Sequence, residues 1–181
     1  MQVSQANTTV PDNAPKNSAL DKKTINTLKK IKEEINKKYG FLIGKPRINR
    51  GPCGPFAQIF FKKWNALFDQ KVHICFVMTK SEDECDHILI RLPSGELYDG
   101  GIGIHADDTY LPHFLIKDMV DYDEILLEKW SYGLNRKYPE SCPDFDRKVV
   151  EEIIHSNLKD LYNKQADTLI KVRPISEKPK L

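Results

Sequence analysis

The residues with the most chemical potential in this chain are four cysteines and five histidines, and one cysteine stands apart by its setting. Cys53 lies within Gly51-Pro52-Cys53-Gly54-Pro55-Phe56-Ala57-Gln58, with Gly and Pro on both sides and an apolar-periodic segment starting at once behind it. Phe56, Phe60 and Trp64 recur at helical spacing, with Ile59, Phe61, Leu67 and Phe68 filling in, which predicts a buried helix over about 55–68. Pro55 suits the first helical turn and Gly54 the N-cap region. A thiol at that place meets unpaired backbone N–H groups and the positive end of the helix dipole, and both favour the thiolate. The competing reading is an inert thiol packed into an apolar helix. A nucleophilic role requires a base and an acid that orients it.

His87 and Asp99 supply that pair if the strands carrying them have the right register. Leu92-Pro93-Ser94-Gly95-Glu96 reads as a three-residue hairpin loop, with Pro93 at the second position of a type I turn and Gly95 in the left-handed position. Leu92 then pairs with Glu96, so paired positions sum to 188. Asp99 falls opposite Leu89, which shares a sheet face with His87. His87 and Asp99 become diagonal neighbours about 7 Å apart along the backbone, within side-chain reach. A two-residue loop would slip the register and put them on opposite faces. A carboxylate on one ring nitrogen fixes the tautomer and leaves the other nitrogen to take the thiol proton.

Cysteine at a helix start, followed by histidine and acid on adjacent strands, is similar to the papain-like superfamily in its chain order. Cys53-Gly54-Pro55 resembles the Cys-Gly-Pro that opens the catalytic helix of the bacteriocin-processing (C39-type) peptidases. His87-Ile88-Leu89-Ile90 through Leu97-Tyr98-Asp99 resembles the histidine strand, turn and acid of those enzymes and of transglutaminase-like proteins. The resemblance covers about residues 51–102. It implies an α+β papain-like domain: an N-terminal cysteine helix on a small antiparallel sheet, with flanking helices and a catalytic triad of Cys53, His87 and Asp99. Those peptidases also carry a glutamine just before the cysteine that helps form the oxyanion hole. Here Lys45-Pro46-Arg47-Ile48-Asn49-Arg50 contains none, and Asn49 with the Cys53 N–H is the expected substitute.

Other constellations compete. His73-Ile74-Cys75 and Cys85-Asp86-His87 offer two histidines and two cysteines to tetrahedral zinc if a hairpin joins them, although one-residue ligand spacing is unlike the knuckles of structural zinc sites. Cysteines alternating into a sheet core is the simpler account, and no metal or cofactor is expected. His105 with Asp107 and Asp108, near His113, forms a polar loop. Gly100-Gly101-Ile102-Gly103 is not followed by a helix start, as a phosphate loop would be. Those glycines suit a close backbone approach beside the site.

The surrounding elements follow from periodicity. Residues 1–17 read as a disordered leader. Ser18 to Tyr39 forms an amphipathic helix with Ile25, Leu28, Ile31 and Ile35 on one face and Gly40 as C-cap. Phe41 to Pro52 is a loop. Strands are expected at Lys71–Thr79, Cys85–Leu92 and Leu97–Ile104, and short helices at Leu111–Met119 and Asp123–Trp130. After a Pro139–Pro143 loop, a last helix covers Phe145–Asn163. The organisation is one papain-like catalytic domain over 18–170 with a loose basic tail at 171–181.

Composition bounds the function. The chain has 181 residues, 40% hydrophobic and 30% charged, enough for one domain with a core. A net charge of +2 gives no electrostatic footprint for nucleic acid. No apolar run reaches membrane-spanning length, and no secretory signal pattern is present, so the expected setting is cytoplasmic or export by a signal-independent route. There the cysteines are thiols. The expected activity is a cysteine hydrolase cleaving amide bonds, either a peptidase or a glutamine deamidase, with the bacterial effector or toxin class as the analogy. The partner is a protein or peptide substrate, with no nucleic acid and no membrane partner, and the chain acts as a monomer. The alternatives are a catalytically inactive papain-like protein-binding module and a zinc-stabilised interaction domain.

Overall fold

The computed structural model describes residues 19–106, 109–110, 112–131 and 142–172, with side chains through residue 167. The expected leader (1–17), Asp107 and Asp108, most of the 139–143 loop and the tail beyond 172 lie outside the described residues.

Among the described residues the fold is α+β, with four helices and a five-stranded antiparallel sheet. Helix α1 (Lys22–Tyr39) starts at Asp21, whose carboxylate accepts from the N–H groups of Lys23 (2.8 Å) and Thr24 (3.0 Å). That cap sets the helix start four residues later than the apolar spacing suggests. Leu28, Ile31 and Ile35 are buried as expected, while Ile25 is largely exposed. Gly40 closes the helix with a positive φ of 73°.

The segment expected to be a plain loop from Phe41 contains a tight hairpin, β1 (Phe41–Leu42) and β2 (Lys45–Pro46), and a 3-10 turn at Arg47–Asn49. Helix α2 (Cys53–Leu67) follows. Strands β3 (His73–Met78), β4 (Cys85–Arg91), β5 (Leu97–Asp99) and β6 (Gly103–His105) form an antiparallel meander, and β7 (Leu115–Asp118) returns beside β3, giving the order β6-β5-β4-β3-β7.

Two expectations fail here. The single strand over Leu97–Ile104 is two strands, because the Asp99 carboxylate accepts from the backbone N–H groups of Gly101 (2.8 Å) and Ile102 (2.6 Å) and reverses the chain. Of the helix expected over Leu111–Met119, Leu111 lies outside the described residues and Leu115–Asp118 is instead β7. β3 pairs with β4 on one side only, and β7 satisfies the ladder on its other side, with Met119 N–H extending the pairing to Ile74 O at 2.7 Å.

Ile74, Phe76, Ile88, Ile90 and Tyr98 share a sheet face with the buried residues of α1, α2 and α4 (Arg147–Val172), which include Phe56, Phe60, Trp64, Val150, Ile154 and Leu158. Tyr98 is fully buried between Phe56 and Phe60 and donates its hydroxyl to Leu28 O at 3.0 Å. The opposite face carries a smaller cluster of Cys75, Val77, Leu89 and Leu97, packed against Tyr110, Phe114 and Ile116. Helix α3 (Glu124–Ser131) braces α2 through Gln58, whose amide donates to Tyr122 Oη and Glu124 Oε1, both at 2.8 Å, while its oxygen accepts from Arg147.

Candidate active site

Cys53 is the first residue of α2, two residues nearer the helix than periodicity indicated. Its N-cap is Pro52, and no side chain caps this terminus, in contrast to Asp21 on α1. The positive end of the α2 dipole is therefore left to act on the thiol. Gly54 follows because nothing larger fits. A Cβ there would lie 1.9 Å from Ser131 Oγ and 3.3 Å from Ile88 Cδ1. Gly100 is similarly constrained from the other side, where a Cβ would meet the Phe56 ring at 2.6 Å. The start of α2 is thus wedged between β4 and the turn after β5.

The histidine and the acid meet there. Leu92 N–H donates to Glu96 O and Gly95 N–H to Leu92 O, each at 2.9 Å, and Gly95 has a φ of 97°. This is the expected three-residue loop. It sets Arg91 opposite Leu97 and Ile90 opposite Tyr98, the register that sums to 188. Just past the last of these pairs, His87 Nε2 lies 3.3 Å from Asp99 Oδ2. The other carboxylate oxygen, Oδ1, accepts from Gly101 N–H, Ile102 N–H and Asn49 Nδ2 (2.9 Å). Three donors on one oxygen leave Asp99 a single orientation. An ionised carboxylate only accepts, so Nε2 carries a proton and, in the neutral ring, Nδ1 is the acceptor. Cys53 interacts with the His87 ring through charge and a side-chain hydrogen bond, and its Sγ also donates to Gly51 O at 3.9 Å.

All three side chains are buried, Cys53 and Asp99 at 2% exposure and His87 at 6%. Burial alone would push the imidazole toward neutrality. The negative charge of Cys53, then the bonds from Asp99 and Cys53, overcome it and hold the His87 pKa up at about 10. For Asp99, burial acts upward, but the bond and charge of His87, followed by the Ile102 N–H and the Asn49 amide, hold its pKa down at about 2. His87 and Asp99 are thus favoured as imidazolium and carboxylate.

No protein-family model, curated protein or solved structure matches this chain.

Not every expected role survives in this geometry. Asn49, expected as an oxyanion donor, turns its amide to Asp99 Oδ1 and holds the carboxylate. The Gly54 N–H, in the first turn of α2, has no acceptor within the helix. The zinc grouping does not assemble. β3 and β4 run antiparallel with His73 opposite Arg91 and Met78 opposite Cys85, so His73 and Cys85 sit at opposite ends of the ladder, about 17 Å apart at a strand's rise. Among the described residues, no three His, Cys, Asp or Glu side chains form a metal-binding group. His105 lies on β6, its ring 5.6 Å from that of Tyr110.

Asn36 was not visible as a site residue, yet its amide donates to Gly101 O at 2.7 Å and ties the acid turn to α1. Tyr110 was also missed. Its ring lies 6.5 Å from that of His87, and burial, then the charges of Asp99, Asp86 and Cys53, push its phenol pKa well up, so it stays a neutral donor. Neither carries a local sequence signal, since both depend on which segments the sheet brings together.

Proposed function

We propose that the protein is a papain-like cysteine hydrolase acting on amide bonds of a protein or peptide. The observation that carries this reading is the His87 imidazole, placed within reach of the Cys53 thiol and held at Nε2 by Asp99. In this reading the Cys53 thiolate attacks the amide carbonyl carbon, and the oxyanion faces the start of α2. The His87 Nδ1 proton passes to the leaving nitrogen as the C–N bond breaks, leaving a thioester on Cys53. His87 then takes a proton from water, whose oxygen attacks the thioester, and the carboxylic acid leaves as the thiol is restored. A peptide bond gives two fragments, and a glutamine side chain gives ammonia and glutamate. An amine in place of water gives a cross-link.

Near-complete burial of the three side chains favours one alternative, a domain of this shape that binds a partner without turnover. Alkylation separates the two. All four cysteines are buried, so exposure alone does not select Cys53. Cys75 donates to Asp118 Oδ1 at 3.0 Å and Cys85 to His87 O at 3.2 Å, while burial raises the Cys142 pKa. Cys53 Sγ also donates, to Gly51 O at the longer distance of 3.9 Å, but it alone of the four interacts with the His87 imidazole. Iodoacetamide at neutral pH, with adducts located by peptide mass, should modify Cys53 first, and His87→Ala should remove the preference. Equal, slow labelling of all four would point to the binding module. The intact mass of a candidate substrate then separates fragments, a one-dalton gain or a cross-link.

A further inference from the structure

The β1–β2 hairpin is unlike the rest of the surface. Phe41, Leu42 and Ile43 are consecutive and exposed by 58, 40 and 85%. Phe41 pairs with Pro46 and Leu42 with Lys45, so Ile43 and Gly44 form the two-residue tip, with φ of 50° and 68°. A turn with positive φ at both positions ordinarily takes Asn-Gly or Asp-Gly. A β-branched residue in that conformation is disfavoured, and here it is also the most exposed of the three. Nothing in the fold rewards isoleucine at this position.

The base of the hairpin is fixed. Arg47 N–H donates to Gly40 O (3.1 Å), and its guanidinium reaches Tyr39 O (3.2 Å) and Asp144 (2.8 Å). The tip therefore projects from a rigid mount. Its charge setting is one-sided. Residues 35–50 contain no Asp or Glu. Lys37, Lys38 and Lys45 are exposed and have no ion-pair partner among the described residues, whereas Lys29 and Lys30, earlier on α1, pair with Glu33 and Glu34.

We propose that this hairpin docks the protein on an anionic lipid bilayer, with Phe41, Leu42 and Ile43 entering the acyl boundary and Lys37, Lys38 and Lys45 resting on the headgroups. Geometry selects lipid over a protein groove. Successive strand side chains point to opposite faces, so Phe41 and Leu42 present apolar surface on both sides of the ribbon and Ile43 presents it at the end. A protein surface covers one face, while a bilayer surrounds all three. Two residues per arm and a turn reach about 7 Å, the depth of an interfacial anchor. The absence of a spanning run argued against a membrane partner in the sequence, but docking at this depth requires none. Among the described residues no helix is long and apolar enough to cross a membrane.

The test is co-sedimentation of the full chain with vesicles of phosphatidylcholine alone or with about 30% phosphatidylserine. The protein should pellet with the phosphatidylserine vesicles, weakly with phosphatidylcholine alone, and less as salt rises. Ile43→Asn suits the turn better and should leave the melting temperature unchanged or raised, yet weaken vesicle binding about tenfold. Lys37→Glu with Lys45→Glu should weaken it a further ~20-fold. Failure to pellet with phosphatidylserine vesicles, or equal binding by Ile43→Asn, would overturn the proposal. So would a concentration-dependent dimer in sedimentation velocity that Ile43→Asn dissolves, because a second copy would then cover the tip. None of these outcomes depends on the chemistry of Cys53.

Discussion

Replacing Cys53 with alanine should remove amide turnover while leaving the protein folded. In the proposed mechanism this sulfur forms the thioester, and no other group within reach of His87 replaces it. Removal of a covalent nucleophile commonly costs a factor of about ten thousand or more in kcat, the residue being catalysis by binding and oxyanion stabilisation alone. The structural cost is small. Cys53 contributes one buried sulfur to the core, and a truncation of that size costs about 1 kcal/mol, or a few degrees in Tm for a domain of this length. Circular dichroism and a thermal melt, run beside the substrate mass assay, separate the two effects. Full activity in Cys53→Ala would remove cysteine hydrolysis from consideration.

The second large effect is expected from Asp99→Asn, and the hydrogen bonds fix its direction. Oδ1 accepts from Gly101 N–H, Ile102 N–H and Asn49 Nδ2. An asparagine must keep its carbonyl oxygen there, which turns its NH2 group toward His87 Nε2. Nε2 then has to accept, so the ring proton moves to Nδ1 and faces the thiol. An imidazole in that tautomer takes no proton from Cys53. The expected loss in kcat is about ten-thousand-fold with Cys53 still in place. Turnover should recover in part at alkaline pH, where the thiol ionises without help.

Stability should change with pH in a matching way. The Asp99 pKa is lowered from 3.8 to about 2, so its contribution is present above about pH 4 and lost as pH falls through about 2. The His87 pKa is raised from 6.5 to about 10, so its contribution is full below 6.5 and lost as pH rises through about 10. Asp99→Asn should weaken both dependences.

The parts of the fold visible in the sequence are those fixed by local chemistry. Phe56, Phe60 and Trp64 mark α2 because all three bury on one stripe. Pro93-Ser94-Gly95 sets the β4–β5 register because a left-handed glycine permits few hairpin loops, and the meeting of His87 with Asp99 follows from that one turn. The parts that stayed hidden depend on distant contacts. Leu97 to Ile104 alternates well enough to pass for one strand, and only the Asp99 side chain bonding to Gly101 and Ile102 breaks it. Leu111 to Met119 has no helical or strand period strong enough to outweigh the open edge of β3. Asn49 was placed near the site by its closeness to Cys53 in the chain, but its partner comes from a turn fifty residues on. Phe41 to Ile43 looked like loop because two-residue strands are too short to show a period.

The central claim is that sulfur and imidazole share a proton as an ion pair at neutral pH. Thiolate absorbs in the ultraviolet and thiol does not, so the absorbance difference between wild type and Cys53→Ala, followed across pH, reads that state without any substrate. A difference already present at pH 7, disappearing only on acidification and absent in the His87→Ala background, is the predicted result. A difference that emerges only above about pH 8.5, as for an ordinary thiol, would contradict it.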